Sequence, residues 1–117
     1  MHVATVGSKV GTIDECEFFR SGGIEAFGGA EIGTISRSVF ELNSRQGSGG
    51  AVSLRHGARI GLISDSVFKQ NKAGSYGGAL YVHYKSSILF LVNASFAHNE
   101  ASGGGGAVSL NLSLIHI

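Results

Sequence analysis

Phe68-Lys69-Gln70-Asn71-Lys72-Ala73-Gly74-Ser75-Tyr76-Gly77-Gly78-Ala79-Leu80 holds a Phe-x-x-Asn tetrad and, after a short spacer, Gly-Gly-Ala-Leu. The pair recurs on both sides at a fixed step. Phe40, Phe68 and Phe96 stand 28 residues apart, as do Asn43, Asn71 and Asn99. The doublets Gly49-Gly50, Gly77-Gly78 and Gly105-Gly106 keep that step, and so do Ile32, Ile60 and Ile88. Self-similarity at such a period marks a repeat architecture, one supersecondary unit per repeat. A shorter unit, Val10-Gly11-Thr12-Ile13-Asp14-Glu15-Cys16-Glu17-Phe18, aligns with Ile32-Gly33-Thr34-Ile35-Ser36-Arg37-Ser38-Val39-Phe40 at an offset of 22. Four units are therefore read, the first abbreviated by six residues. Residues 1–9, with Val3 and Val6, read as the tail of a fifth.

Within a unit the signals are those of short strands. Ala51-Val52-Ser53-Leu54, Ala79-Leu80-Tyr81-Val82 and Ala107-Val108-Ser109-Leu110 alternate in period two, which places Val and Leu on one side and Ala, Ser and Tyr on the other. A second segment covers Ile60 to Ile63, and a third ends on Ser66-Val67-Phe68. Ile60, Ile63 and Phe68 mix parities, so a bend is expected between them, at Ser64-Asp65, whose side chains can bond their own backbone. No segment holds a sustained helical period. A unit of this kind buries its apolar face only by stacking on its neighbours, each strand pairing in parallel with its equivalent one coil away.

The expected fold is all-β: a right-handed parallel β-helix, a solenoid of about four coils with three short strands per coil and a 28-residue repeat. The handedness follows the general preference of parallel crossovers. Coils spaced by ~4.8 Å would stack Phe18, Phe40, Phe68 and Phe96 in the core. Asn43, Asn71 and Asn99 would form an amide ladder at a turn, where Asn also tolerates left-handed backbone. The Gly-Gly doublets would allow a sharp start to the next strand.

Composition narrows the function. Glycine contributes 19 residues and proline none, so every residue can donate a backbone N–H to a sheet. Nine Lys and Arg nearly balance eight Asp and Glu without a basic run, which argues against a nucleic-acid partner. Cys16 is the single cysteine, so neither an intrachain disulfide nor a cysteine zinc site can form. The longest apolar run, Ile88 to Val92, is far below the ~20 residues of a membrane helix. No charged segment followed by an apolar core marks a signal peptide at the N-terminus.

The paired motifs resemble the repeats of chlamydial polymorphic membrane proteins. They read Gly49-Gly50-Ala51-Val52, Gly77-Gly78-Ala79-Leu80 and Gly105-Gly106-Ala107-Val108, alternating with Phe40-Glu41-Leu42-Asn43, Phe68-Lys69-Gln70-Asn71 and Phe96-Ala97-His98-Asn99. The resemblance covers about residues 10 to 110. The first unit departs from it: Phe18-Phe19-Arg20-Ser21 has Ser for Asn, and Gly22-Gly23-Ile24 lacks Ala. The resemblance implies a β-helical passenger of an autotransporter, extracellular at the outer-membrane surface, adhesive toward a host-cell surface protein or glycan. It implies membrane attachment only through regions outside this stretch, and coil ends that stack on further coils. Isolated, such ends should aggregate or pair with copies.

Residues 1–111 are thus read as a β-helix repeat fragment. Leu112-Ser113-Leu114-Ile115-His116-Ile117 matches a translated transposon end used in sequencing-library preparation and is expected to be an assembly scar. A transcript continuing genuinely through these residues would refute that.

The rival reading is a fragment of a pectate-lyase-like carbohydrate-active enzyme whose catalytic coils lie elsewhere. Such chemistry needs clustered carboxylates. In register only Glu15 and Asp65 share a column, with Arg37 between them, which favours a surface ion pair. His56, His83 and His98 fall in different columns, and Cys16 falls among Ser38, Ser66 and Ala94, where a small buried filler is expected. Asn93-Ala94-Ser95 fits a glycosylation sequon, and Tyr76, Tyr81 and Tyr84 could form an exposed aromatic patch. The sequence therefore assigns no catalytic, cofactor-binding or metal residue.

Overall fold

The computed structural model describes residues 2–3, 8–83, 85–104, 106–111 and 114–115, of which 2–3, 110–111 and 114–115 are described by backbone alone. Gly105, Tyr84 and Val6 lie outside the described residues. The strands run β1 (His2–Val3), β2 (Lys9–Asp14), β3 (Glu17–Phe19), β4 (Ile24–Phe27), β5 (Glu31–Ser36), β6 (Val39–Glu41), β7 (Ser44–Arg45) and β8 (Val52–Arg55). They continue with β9 (Arg59–Ser64), β10 (Val67–Lys69), β11 (Lys72–Ala73), β12 (Leu80–His83), β13 (Ser87–Val92), β14 (Ser95–Ala97), β15 (Glu100–Ala101), β16 (Val108–Asn111) and β17 (Leu114–Ile115).

Every strand pairing among the described residues is parallel. Strands pair with their equivalents one coil away, in the orders β1-β4-β8-β12-β16, β2-β5-β9-β13-β17, β3-β6-β10-β14 and β7-β11-β15. The molecule is a parallel β-helix, making three turns between Phe18 and Phe96. Register follows the repeat: Phe18 pairs with Phe40, Phe40 with Phe68 and Phe68 with Phe96. Each full coil adds a fourth, two-residue strand after the Asn turn. Ser44-Arg45, Lys72-Ala73 and Glu100-Ala101 are too short and polar to show alternation, so their pairing is visible only in space.

The core is the stacked column of inward side chains. Phe40 and Phe68 are fully buried. Ring centroids along Phe18, Phe40, Phe68 and Phe96 lie 4.6, 4.7 and 5.0 Å apart and nearly parallel, the strand spacing imposed on the rings. Ile32, Ile60 and Ile88 form a second buried column, and Ile35 and Ile63 a third with Leu91.

Four details differ from the expected geometry. Ala51 and Ala79 lie in the core with Val52 and Leu80 rather than opposite them. They sit in the bend before the strand, where period-two alternation does not yet apply. Ile60 and Ile63 are both buried within one strand because the ladder skips Gly61: Ile60 pairs with Ile32 and Leu62 with Thr34. A Cβ on Gly61 would lie 2.6 Å from the Gly33 carbonyl oxygen, so no side chain fits there, whereas β13 carries Leu89 at the same skipped position. The expected bend also exists, with Asp65 at φ 51°.

Left-handed backbone falls on the residue before each Asn: Leu42, Gln70 and His98 have φ of 57°, 54° and 54°. Asn is therefore selected there by hydrogen bonding rather than by its tolerance of positive φ. Cys16 is exposed rather than buried. Its column is a hydroxyl ladder, in which the Ser38 N–H donates to Ser66 Oγ (3.2 Å) and the Cys16 N–H to Ser38 Oγ (3.3 Å). Ser38 and Ser66 are covered within the stack, whereas Cys16 stands at its outermost described coil.

β17 pairs Leu114 with Ser87 and Ile115 with Ile88, an offset of 27 where β16 keeps 28 against β12.

Candidate functional site

The repeated residues are consumed by the stack. Asn43 Nδ2 donates to Asn71 Oδ1 (3.0 Å) and to the Phe18 carbonyl (2.8 Å). Asn71 does the same toward Asn99 Oδ1 and the Phe40 carbonyl, both at 3.0 Å. Each Oδ1 also accepts the backbone N–H of the preceding Asn, at 3.0 and 3.1 Å. Asn43 and Asn71 are fully buried, and both amide hydrogens are satisfied, as burial requires. Ser21 takes Asn's place in the first coil, donating from N and Oγ to Asn43 Oδ1.

The glycine doublet has two separate causes. Gly49 and Gly77 carry positive φ of 76° and 63°. A Cβ on Gly50 would lie 2.3 Å from the Gly78 carbonyl oxygen, and one on Gly78 the same distance from that of Gly106. Gly106 closes the described column.

The charged candidates do not converge. Arg37 pairs with Asp14 and, at 3.3 Å, with Glu15. Asp65 instead accepts from Asn93 Nδ2 at 2.6 Å and acts on Arg37 only through its charge at longer range. Hydrogen bonds from Arg37 and Ser36 hold the Asp14 carboxyl below the usual carboxylate range. His56 and His98 are exposed turn residues, both with positive φ. Among the described residues no His, Cys, Asp or Glu cluster could hold a metal ion.

Side chains do converge on the outer face of the sheet formed by β4, β8 and β12. Glu25, Ser53 and Tyr81 occupy one outward column, adjacent to Phe27, Arg55 and His83. Loop 44–48 overhangs them. Arg45 ties that loop down: Nε donates to the Gly49 carbonyl (3.1 Å), Nη2 to the Gly22 carbonyl (2.5 Å) and Nη1 to Glu25 Oε2 (3.0 Å). Arg55 Nη2 donates to the same oxygen at 2.8 Å, and its guanidinium lies 5.7 Å from the Phe27 ring centroid. The Arg55 Nε is buried without a hydrogen-bond partner. Tyr81 packs against His83, ring centroids 5.2 Å apart. These groups, with Gly47 and Ser48, enclose a cleft of about 300 Å³. A more open groove of about 380 Å³ follows Gly11, Gly33 and Gly61 to exposed Leu89, flanked by Arg59 and by Lys9 and Glu31, which pair with each other at 3.6 Å.

Residues 65–83 match the Chlamydia polymorphic membrane protein repeat. The matched stretch runs from the left-handed turn at Asp65 through the Phe68 strand, the Asn71 ladder and Gly77-Gly78 to the end of β12. It is one motif pair with its stacking residues. Tyr81 and His83, beside the cleft, fall within the matched stretch, whereas Glu25, Arg45 and Arg55 lie outside it. No curated protein and no solved structure matches the chain.

Nothing in the periodicity marks Glu25, Arg45 or Arg55. The available signal was the six-residue shortfall of the first unit, which uncovers the face they share. Of the three tyrosines, Tyr81 lines this cleft, Tyr76 forms a bridge to Gly104, and Tyr84 lies outside the described residues.

Proposed function

We propose that this chain is part of a surface-displayed adhesive β-helix, held outside the cell at the outer membrane by regions beyond this stretch, with no catalysis of its own. The observation that carries the reading is the repeat match in coil three, on a fold whose repeated side chains are all spent on stacking. Function is then left to the outward columns, which vary from coil to coil. The carboxylates support a non-catalytic role: Asp14, Glu25 and Asp65 are each engaged by a neighbouring Arg or Asn. The partner is a host-cell surface protein or glycan, and the coil ends stack on further coils of the same solenoid. Residues 112–117 are best taken as extraneous to the repeat, which the shift of register to 27 supports.

Beads coated with the chain should be retained on epithelial cells above beads coated with an unrelated β-helix. Equal retention would overturn the adhesive reading. In sedimentation the isolated chain should show mass rising with concentration; a constant monomer mass argues against coil-end stacking.

A further inference from the structure

We infer that the cleft beneath loop 44–48 is a subsite for a sugar carboxylate, the acidic residue of a uronic- or sialic-acid-containing glycan. The inference deepens the adhesive reading and rests on it only for its cellular arm.

The cleft carries two guanidinium groups and one carboxylate, a net single positive charge. Arg45 is engaged on all three nitrogens, each donating within the protein, and its side chain keeps only 20% exposure. Arg55 is not. Its Nη2 meets Glu25, its Nε is shielded without a partner, and its side chain keeps 41% exposure. The terminal nitrogens are thus the part left to meet a ligand, held in place by Glu25 and the Phe27 ring. A planar carboxylate matches a guanidinium edge, and the geometry strengthens that pair beyond a neutral hydrogen bond. A dianionic phosphate would bring excess negative charge beside Glu25.

The rest of the lining selects a sugar. Tyr81 offers an aromatic wall to the C–H face of a pyranose. The Ser48 hydroxyl accepts the Tyr76 N–H, so its proton remains to be donated, and Ser53 adds a second hydroxyl on the floor. About 300 Å³ is at the small end of ligand pockets and suits one monosaccharide. An extended peptide is disfavoured because β8 is already paired on both edges, by β4 and β12, leaving no edge for strand addition.

The test uses the whole 117-residue chain with methyl β-D-glucuronoside and methyl β-D-glucoside, read by saturation-transfer and chemical-shift titration. The glucuronoside should bind at least about ten-fold more tightly, the scale of one charge-assisted hydrogen bond. Arg55→Gln should reduce it to the level of the neutral sugar, while Arg59→Gln, on another sheet, should leave it unchanged. Equal binding of the two sugars by the native chain would overturn the inference without reliance on any variant. Equal binding by an acetylated dipeptide ending in glutamate, or by inorganic phosphate, would overturn the glycan class. On cells, adhesion that survives Arg55→Gln overturns the cleft as the contact but leaves the adhesive reading standing. Sugar-acid binding in solution without adhesion supports the cleft and overturns the adhesive reading.

Discussion

The first coil and the third are built from one pattern, but the first is six residues short. The position of the deletion is clear from pairing. Phe18 meets Phe40 at an offset of 22, whereas Ile24 meets Val52 at 28. The missing residues fall between Ser21 and Ile24, where later coils place the short strand and the loop after Asn. The sheet of β7, β11 and β15 accordingly starts one coil late. In coil three the loop position is filled and neighbouring coils cover it. In coil one the loop of coil two hangs over an unfilled step, and Arg45 reaches down across it. A deletion in a repeat has thus made a concavity that perfect repetition would have closed.

The same contrast explains the departures of the first motif pair. Gly23 stands in register with Ala51, and with φ of 68° a Cβ there would lie 1.9 Å from the Ala51 carbonyl oxygen. Alanine is excluded at that position by the tighter turn. Ser21 can replace Asn because its N–H and hydroxyl both reach Asn43 Oδ1.

Substitutions at matched positions of the two coils should break the comparison most sharply at glycine. Gly78→Ala drives a methyl into backbone of the next coil and should cost more than about 4 kcal/mol. Gly22→Ala, whose nearest neighbour would be Arg45 Nη2 at 3.8 Å, should stay within about 0.5 kcal/mol. Urea midpoints for the two variants would decide it, and equal shifts would mean that the coils are equally tight. At the ladder, Asn71→Ala strands the Asn43 N–H and amide and the Phe40 carbonyl in the interior, an expected loss of about 2–4 kcal/mol. Ser21→Ala, at an exposed position, should lose about 0.5–1.5 kcal/mol.

Arg45→Met keeps much of the stem but removes three hydrogen bonds, two across the step and one within the loop. A loss of about 1–3 kcal/mol is expected, with faster amide exchange confined to residues 21–25 and 44–49. Uniform exchange changes over all coils would show that Arg45 does not act locally.

The smallest effect concerns Arg37, a second arginine of coil two that reaches down to coil one. Its hydrogen bond depresses the Asp14 carboxyl in the folded state. A depressed folded value means that the stabilisation is complete above the ordinary carboxylate pKa of ~3.9. It is lost as pH falls through the lower folded value. Arg37→Gln should move the Asp14 carboxyl midpoint upward in an NMR titration, and an unmoved midpoint would assign the depression elsewhere.

Legibility in the sequence followed repetition. Phe68, Asn71 and Gly77-Gly78 recur because each contacts its own equivalent, so period and register could be read from one strand of text. What failed to show had no such echo. The two-residue strand at Lys72-Ala73 is too short to alternate, and the kink at Gly61 hides as a glycine column. The exposure of Cys16 depends on its coil's place in the stack, which its identity does not encode. Arg45 and Arg55 lie ten residues apart in sequence, on a loop and a strand, and meet only because both reach Glu25 from the coil before.

By itself the sequence determined a parallel β-helix with a 28-residue coil, because stacking forces equivalent positions into one environment and so into one residue type. The tertiary structure alone decided which polar side chains remain available to a ligand. That depends on what covers each residue in the adjacent coil, and here the covering segment is one that the first coil lacks.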